Sequence, residues 1–405
     1  YTHLDASTGE ATAAAQAMNQ SFGYDELGRL TSIVTPANSW TIGYDANGNR
    51  TSVKLNATTR TYTTASTSNR LTSVANPTRS FGYDAAGNTL SDTGLAYTTT
   101  YRLDNRLGTL TKNGLTTTYQ YDAGGQRVHK EHSAGLRDFV YDQEGHLLGE
   151  YNASGVVQEF VWLGDLPVAV IVGSVASPLP LLAYADHLNA PRVLIDKSEA
   201  ARWRWISEPF GTTQPEQAPA GLSPITFNLR FPGQYYDSES GLNYNYFRDY
   251  DGTTGRYIQS DPIGLHAGIN TYAYVEGNPL QYADPLGQVR QGGKTGKWWE
   301  FTDRNFQRWF HQCWKQPGDQ DATRAELAEA YATWVEWGMP DGKDGCGGPP
   351  PAPAPQPEAC GDACKKTAKV IVVGGTAYVV YRCLRMLPSL LPPLWPTIPA
   401  NAVVP

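Results

Sequence analysis

Two tetrapeptides in this sequence have residue types and spacing that could do chemistry. Asp261-Pro262-Ile263-Gly264 and Asp284-Pro285-Leu286-Gly287 repeat one pattern about two dozen positions apart. Proline fixes its own φ and biases the preceding aspartate towards an extended backbone, and the glycine permits a sharp turn. Each motif therefore carries a carboxylate on a defined bend. If the bends face each other, the carboxylates form a close pair that cannot both ionise cheaply, so one keeps a proton. The charged member can then activate a water while the protonated one polarises a peptide carbonyl. A peptide in the same chain is already at high effective concentration, so such a pair could cut its own backbone. The alternative is two ordinary Asp-Pro turns bounding hairpins, which are common. The spacing by itself leaves both open.

Other titratable clusters offer less. Asp186-His187 has no third partner for acid-base work and reads as structural. His129 and His132 have no carboxylate or cysteine recurring nearby in metal-ligand spacing. Asp303, His311 and Glu326 read as helix-surface charge. Cys360 and Cys364 lack the second Cys or His pair that a zinc site needs. No GxSxG, HExxH, GxGxxG or P-loop fingerprint occurs, so no cofactor and no metal are expected.

The elements that must hold the two aspartates come from a repeat. Tyr-Asp-x-x-Gly recurs at Tyr24, Tyr44, Tyr83, Tyr121 and Tyr141, with gaps near 20 residues or twice that. Degenerate copies at Tyr62 and Tyr101 fill the double gaps, with Asn69 and Asn105 where glycine stood. Asparagine is the next most tolerant residue of φ > 0, which fits a tight turn. Each unit reads as strand, Asp-x-x-Gly turn, strand. One such hairpin is unstable alone, but stacked hairpins share a core. The expected fold is mainly β, a curling antiparallel sheet.

The Tyr-Asp frame resembles the YD repeat of Rhs and teneurin-like proteins. "YADHLNAPRVLID" (184–196) and "RWRWISEPFG" (202–211) resemble the last Rhs repeats, and "LRFPGQYYDSESGLNYNYFRDYDGTTGRYIQSDPIGL" (229–265) resembles the Rhs-associated core. The resemblance implies a repeat shell over 1–228, wound into part of a hollow container, and a core over 229–288 that plugs one end. It also implies self-cleavage just after the second Asp-Pro motif. Asp261 and Asp284 would be the catalytic pair, Pro262, Gly264, Pro285 and Gly287 their supports, and the cut would fall between Gln288 and Val289. Arg256, in "GRYIQSDP", matches a family arginine near the site. It could orient the pair or be a surface residue. The family usually has leucine where Gln288 stands, a change that could slow or displace the cut.

Composition changes at the expected cut. Seven of the 11 tryptophans and all five cysteines lie beyond it. The net charge of −7 is carried by the residues before it, while the stretch after is slightly basic. Residues 289–346 hold two amphipathic patterns. Phe306, Trp309, Phe310, Cys313 and Trp314 fall at helical spacing, and Thr323 to Glu326 form a capping box ahead of Leu327, Ala330, Tyr331, Trp334 and Val335. A small α-helical effector region is expected there. A Pro/Ala linker (347–358) precedes an apolar tail (359–405). The tail reads either as membrane-inserting or interfacial, through its basic flanks, or as packing on the shell or a partner.

The chain opens at Tyr1 within repeat-like sequence, which suggests a fragment or processed form. Its lack of a leader therefore says nothing of export. The resemblance implies a secreted toxin carrier, delivered from the bacterial cytoplasm into a target cell, often by a type VI secretion system. It further implies a cognate immunity protein and a spike or adaptor bound through a preceding N-terminal part. A target-cell membrane is a further candidate partner. The mildly acidic balance gives no reason to expect nucleic acid. An adhesive or carbohydrate-binding repeat sheet with an uncleaved tail is the competing reading.

Overall fold

In the computed structural model, residues 12–292, 309–314, 330, 333 and 334 are described. Nineteen strands, from Ser21–Tyr24 to Ala201–Arg204, make one antiparallel sheet. Each pairs with its neighbours in sequence, so the sheet is a continuous meander of hairpins. The expected mainly β architecture is what the chain adopts.

The turn chemistry explains the repeat. In the turn after Tyr24, the Asp25 carboxylate accepts the backbone N–H groups of Leu27 and Arg29 at 3.1 and 2.9 Å. Gly28, at φ 77°, donates its N–H to the Asp25 carbonyl at 3.0 Å. Gly48, Gly87, Gly125 and Gly145 repeat this left-handed corner, which only glycine adopts without steric cost. Asn105 takes the same corner at φ 59°, as the sequence predicts. Asn69 does not. Its loop is one residue longer, Ser68 donates to the Ala65 carbonyl instead, and the Asn69 side chain bonds Ile269 and Asn49.

The repeated tyrosine does more than fill a strand. Tyr44, Tyr83, Tyr101, Tyr121 and Tyr141 donate their phenol groups to the carbonyls of Leu30, Leu71, Thr89, Leu107 and Arg127, at 2.8–3.1 Å. Each acceptor starts the returning strand of an earlier hairpin, so the phenol ties one unit to the next. Trp162 makes the same bond to Leu147 through its indole N–H at 2.9 Å. It continues the ladder where the tyrosine is lost.

One face of this sheet carries the segment after Arg204. Phe139, Phe160, Val170, Leu194 and Trp203 pack against Phe227, Tyr235, Tyr244 and Tyr250 in the largest apolar core. Buried ion pairs cross the same boundary. Arg127 and Lys130 reach Asp237 at 2.5 and 2.7 Å, and Arg79 reaches Asp251 at 2.6 Å. Removing one partner from such a pair strands a buried charge, at a cost of about 3–5 kcal/mol. The segment's own sheet has four short strands, Tyr235–Asp237, Leu242–Asn245, Arg248–Asp251 and Arg256–Tyr257. A final hairpin pairs Tyr282–Ala283 with Gln291–Gly292. Its loop holds the second Asp-Pro motif and the expected cut.

Beyond that hairpin, Phe310–Trp314 forms a π-helical turn, and Trp309, Phe310, Ala330 and Trp334 are buried. Cys313 is disulfide-bonded. The rest of the expected helical effector, the Pro/Ala linker and the apolar tail lie outside the described residues, as do Asp303 and Glu326. Among the described residues no helix is long and apolar enough to cross a membrane.

Candidate active site at the paired Asp-Pro motifs

Asp261 and Asp284 come together on one guanidinium. The same Arg248 nitrogen lies 2.7 Å from Asp261 Oδ2 and 3.4 Å from Asp284 Oδ2. All three side chains are buried. Arg248 Nε donates to the Gly287 carbonyl, its Nη1 donates to the Thr271 carbonyl at 3.0 Å, and its plane stacks 3.6 Å from the Tyr257 ring centroid. A planar fork with five donors can hold two carboxylates and two carbonyls at once.

The second motif is docked on the Asn245–Arg248 turn. Asn245 Nδ2 donates to the Asp284 carbonyl at 2.8 Å, and the Phe247 N–H donates to the Leu286 carbonyl at 3.1 Å. Gly287, at φ 69°, lies so close that a Cβ there would sit 2.4 Å from the Asn245 carbonyl oxygen. The motif's glycine is thus required for close approach as well as for the bend. On the other side, a Cβ on Gly233 would meet the Pro285 carbonyl oxygen at 2.0 Å. The bend therefore has no slack.

The two carboxyl groups have different surroundings. Asp284 Oδ2 accepts the Tyr257 hydroxyl at 2.7 Å, and Asp284 Oδ1 accepts the Gln288 N–H at 2.9 Å. Asp261 Oδ1 accepts the Ile263 N–H at 3.1 Å. Asp261 Oδ2 has the ionic approach of Arg248 but no well-aligned hydrogen bond. Burial pushes the Asp261 carboxyl up to about 7, and the Asp284 charge adds to the rise while Arg248 and the Ile263 N–H oppose it. Burial and Asp284 raise the Tyr257 phenol well above its usual value, so it stays a donor. Arg248, Asp261, Asp284 and Gln288 border a cavity of about 320 Å³. Its far wall includes the repeat turn at Ala46, Asn47 and Gly48. That volume admits water beside the pair.

Arg256 lies elsewhere. It donates to the Asn69 carbonyl and stacks on Tyr272 at 4.7 Å, tying the four-stranded sheet to the repeats. The reason is strand alternation: Tyr257 faces Asp284, so its neighbour Arg256 points to the opposite face. Sequence reading named Arg256 and missed Arg248, Tyr257 and Asn245. The only signal was the run "NYFRDY" (245–250), where Asn245, Arg248 and Asp249 are set among three aromatic residues.

The remaining candidates have structural roles. Asp186 accepts the N–H groups of Leu188 and Ala190 in its own turn, and His187 contacts the Leu280 carbonyl at 2.8 Å. His129 pairs across strands with Asp138 at 2.6 Å, while His132 accepts the Ala134 N–H. Among the described residues, the candidate metal grouping is Asp142, Glu144 and His146. There the two His146 ring nitrogens contact Asp142 and Asp165 at 2.8 and 2.9 Å. The imidazole thus takes the place of Arg29, Asn49 and Asn88, which bond the aspartates of their own turns.

The teneurin YD-shell family model matches residues 7–279, two thirds of the chain. The chain belongs to the teneurin YD-shell family. A second model, for a toxin with a conserved tryptophan and TIP tripeptide motif, matches residues 353–405 of this YD-shell protein. Trp395 and Thr397-Ile398-Pro399 stand there in the sequence. Its relatives include toxins. The YD-shell chain is 42% identical over 106 residues to toxin protein Tse5 of Pseudomonas aeruginosa, covering 26% of this chain and 8% of that one. It is 30% identical over 160 residues to double-stranded DNA deaminase toxin A of Burkholderia cenocepacia, covering 40% and 11%. It is 32% identical over 187 residues to probable deoxyribonuclease RhsA of Dickeya dadantii, covering 44% and 13%. The chain thus spans about a tenth of these relatives' length, and it is a shell of the Rhs/YD-repeat polymorphic-toxin kind. Its fold is similar to that of TcdB2-TccC3-TEV, with a TM-score of 0.52 at 19% identity over 66% of this chain and 15% of that one.

Proposed function

We propose that this chain is part of a toxin carrier whose Asp261–Asp284 pair cuts the bond between Gln288 and Val289. One observation carries this reading. A single guanidinium draws both aspartates together beside a cavity roomy enough for water, and one of them holds the Gln288 N–H. Asp284, with its hydrogen-bond donors, serves as the base, and Asp261, pushed up to about 7, serves as the acid.

Water adds to the Gln288 carbonyl carbon, giving one proton to Asp284, while Asp261 protonates the carbonyl oxygen. As the resulting diol collapses, its hydroxyl returns a proton to Asp261. The carbon–nitrogen bond breaks, and Asp284 passes its proton to the Val289 nitrogen. A new carboxyl at Gln288 and a new amine at Val289 result, with one water consumed. Gln288 is positioned through its main chain in this arrangement, so a leucine there is dispensable.

Residues 289–405 then constitute the effector, bounded as the composition suggests: a helical part to 346, a linker over 347–358 and an apolar tail. The toxin model over 353–405 supports placing the harmful activity in that tail. Its apolar run with basic flanks suits a membrane target. An apolar segment of this kind would aggregate or harm its maker if exposed, which gives enclosure by a shell a physical purpose. Delivery into a competing bacterium, and an immunity protein against the tail, complete the proposal.

The test is intact mass of the purified, denatured chain. Two fragments meeting between Gln288 and Val289, and one uncut mass for Asp284→Asn, are expected. A single full-length mass for the unmodified chain would overturn the reading.

A further inference from the structure

The hairpin that carries the expected cut has a second grip, on the far side of the bond. Tyr282 pairs with Gly292 and Ala283 with Gln291, so residues 284–290 form a closed loop. Its near end is fixed by Asp284, which holds the Gln288 N–H. At the far end, Arg290 Nη1 lies 2.9 Å from Glu276 Oε2, and the guanidinium stacks 4.4 Å from the Tyr282 ring centroid. Glu276 and Arg290 both line the cavity at the aspartate pair. Val289 is the residue between the two grips.

Glu276 is held there by a strained backbone. Val275 and Glu276 have φ values of 42° and 52°. A β-branched residue at positive φ is a genuine outlier, and such strain persists only where the surroundings over-determine it. Here Val275 is buried in the main core, while the Gly277 and Asn278 N–H groups bond the Tyr274 and Val275 carbonyls at 2.9 and 3.0 Å. The pair's side chains are 28% and 53% exposed, so it adds little stability. Its geometric effect is larger. A two-residue ladder fixes register weakly, and a slip of one residue would bring a different bond to the carboxylates.

We propose that the Glu276–Arg290 pair, stacked on Tyr282, is a register clamp that selects which peptide bond the Asp261–Asp284 pair receives. Glu276 and Arg290 are positioning residues and take no part in the bond chemistry. The proposal rests on the self-cleavage reading above, so its test has one arm that needs cleavage and one that does not.

In the first arm the full chain is made by cell-free synthesis, quenched in denaturant over time, and both fragments are weighed. Arg290→Ala and Glu276→Ala should each slow cutting by roughly tenfold, since misplacing the reacting bond is costly. Each should also yield C-terminal fragments beginning one residue to either side of Val289. The reciprocal exchange Glu276→Arg with Arg290→Glu should restore a single cut. Singles that cut only at the original bond, at the unmodified rate, would overturn the clamp while leaving the self-cleavage reading intact. The second arm uses an Asp261→Asn full chain, in which the loop stays continuous. Backbone amide exchange at Gln291 and Gly292 should quicken severalfold when Arg290→Ala is added. Unchanged exchange would overturn the clamp whether or not the unmodified chain cuts itself.

Discussion

The aspartates of the repeat turns and those of the two Asp-Pro motifs begin from the same local chemistry. Asp25, Asp45 and Asp142 each accept the N–H groups two and four residues on. Asp261 keeps the first of these bonds, to Ile263, and Asp284 keeps the second, to Gln288. The difference lies in the other oxygen. In the repeats it meets a side chain of its own turn at a partly open edge, such as Arg29 for Asp25 or Asn49 for Asp45. In the core it is turned inward to a shared Arg248 and closed off from bulk water. One turn motif therefore serves structure at the rim of the sheet and, where packing brings two copies together, becomes a candidate acid–base pair. Desolvation is what separates the two outcomes.

That contrast can be broken most directly at the pair itself. Asp261→Asn and Asp284→Asn should each leave a single uncut mass, a loss of roughly 10³-fold in cutting rate as the acid or the base is removed. If either variant still cuts at the unmodified rate, the two classes of aspartate do not differ in function.

Arg248→Gln should have the next largest effect, slowing the cut by roughly 10²-fold, because the one cation that both carboxyls share is lost. It also has a signature that a simple packing defect lacks. Arg248 opposes the rise of the Asp261 carboxyl. Its removal should therefore shift the alkaline limb of the cutting rate to higher pH, read by time courses across pH 5–9.

The unmodified chain sharpens the comparison by pH alone. Asp261 is raised in the folded state, so the fold favours its protonated form. That preference is fully present below the unfolded carboxylate pKa and is lost as pH rises through about 7. The rate of cutting should fall above about pH 7, as the acid loses its proton. A rate that is flat from pH 6 to 9 would contradict the assignment of Asp261 as the acid.

Tyr257→Phe removes one donor to Asp284 and should slow the cut by roughly tenfold, the equivalent of one hydrogen bond to a charged group. The smallest effect is expected in the repeats. Asp84→Ala loses a turn-capping bond to the Asn88 N–H, and should cost about 1 kcal/mol in denaturant unfolding with no change in cutting. A strong effect of Asp84→Ala on cutting would merge the two classes again.

Much of the shell was legible in the chain because its cause is local. The Tyr-Asp-x-x-Gly period fixed where hairpins turn, since Gly28 and its counterparts need a left-handed corner and the aspartate satisfies nearby N–H groups. It did not show that the tyrosine phenols bridge successive hairpins, because the acceptor lies 12 to 14 residues back in an earlier unit. Nor could it place Asn69, whose loop has one extra residue, with a bond reaching Ile269.

At the site, residue types and spacing put Asp261 and Asp284 each on a bend and made them candidates, and the family resemblance made them the expected pair. They could not choose the arginine. Arg248 and Arg256 lie eight positions apart on strands of one small sheet, and only the faces those strands present decide that the first meets the pair and the second meets Asn69. Sequence by itself determined the turns, because turn geometry depends on a few adjacent residues. The tertiary structure alone decided the proton, because a carboxyl's acidity depends on burial and on charges brought from distant parts of the chain.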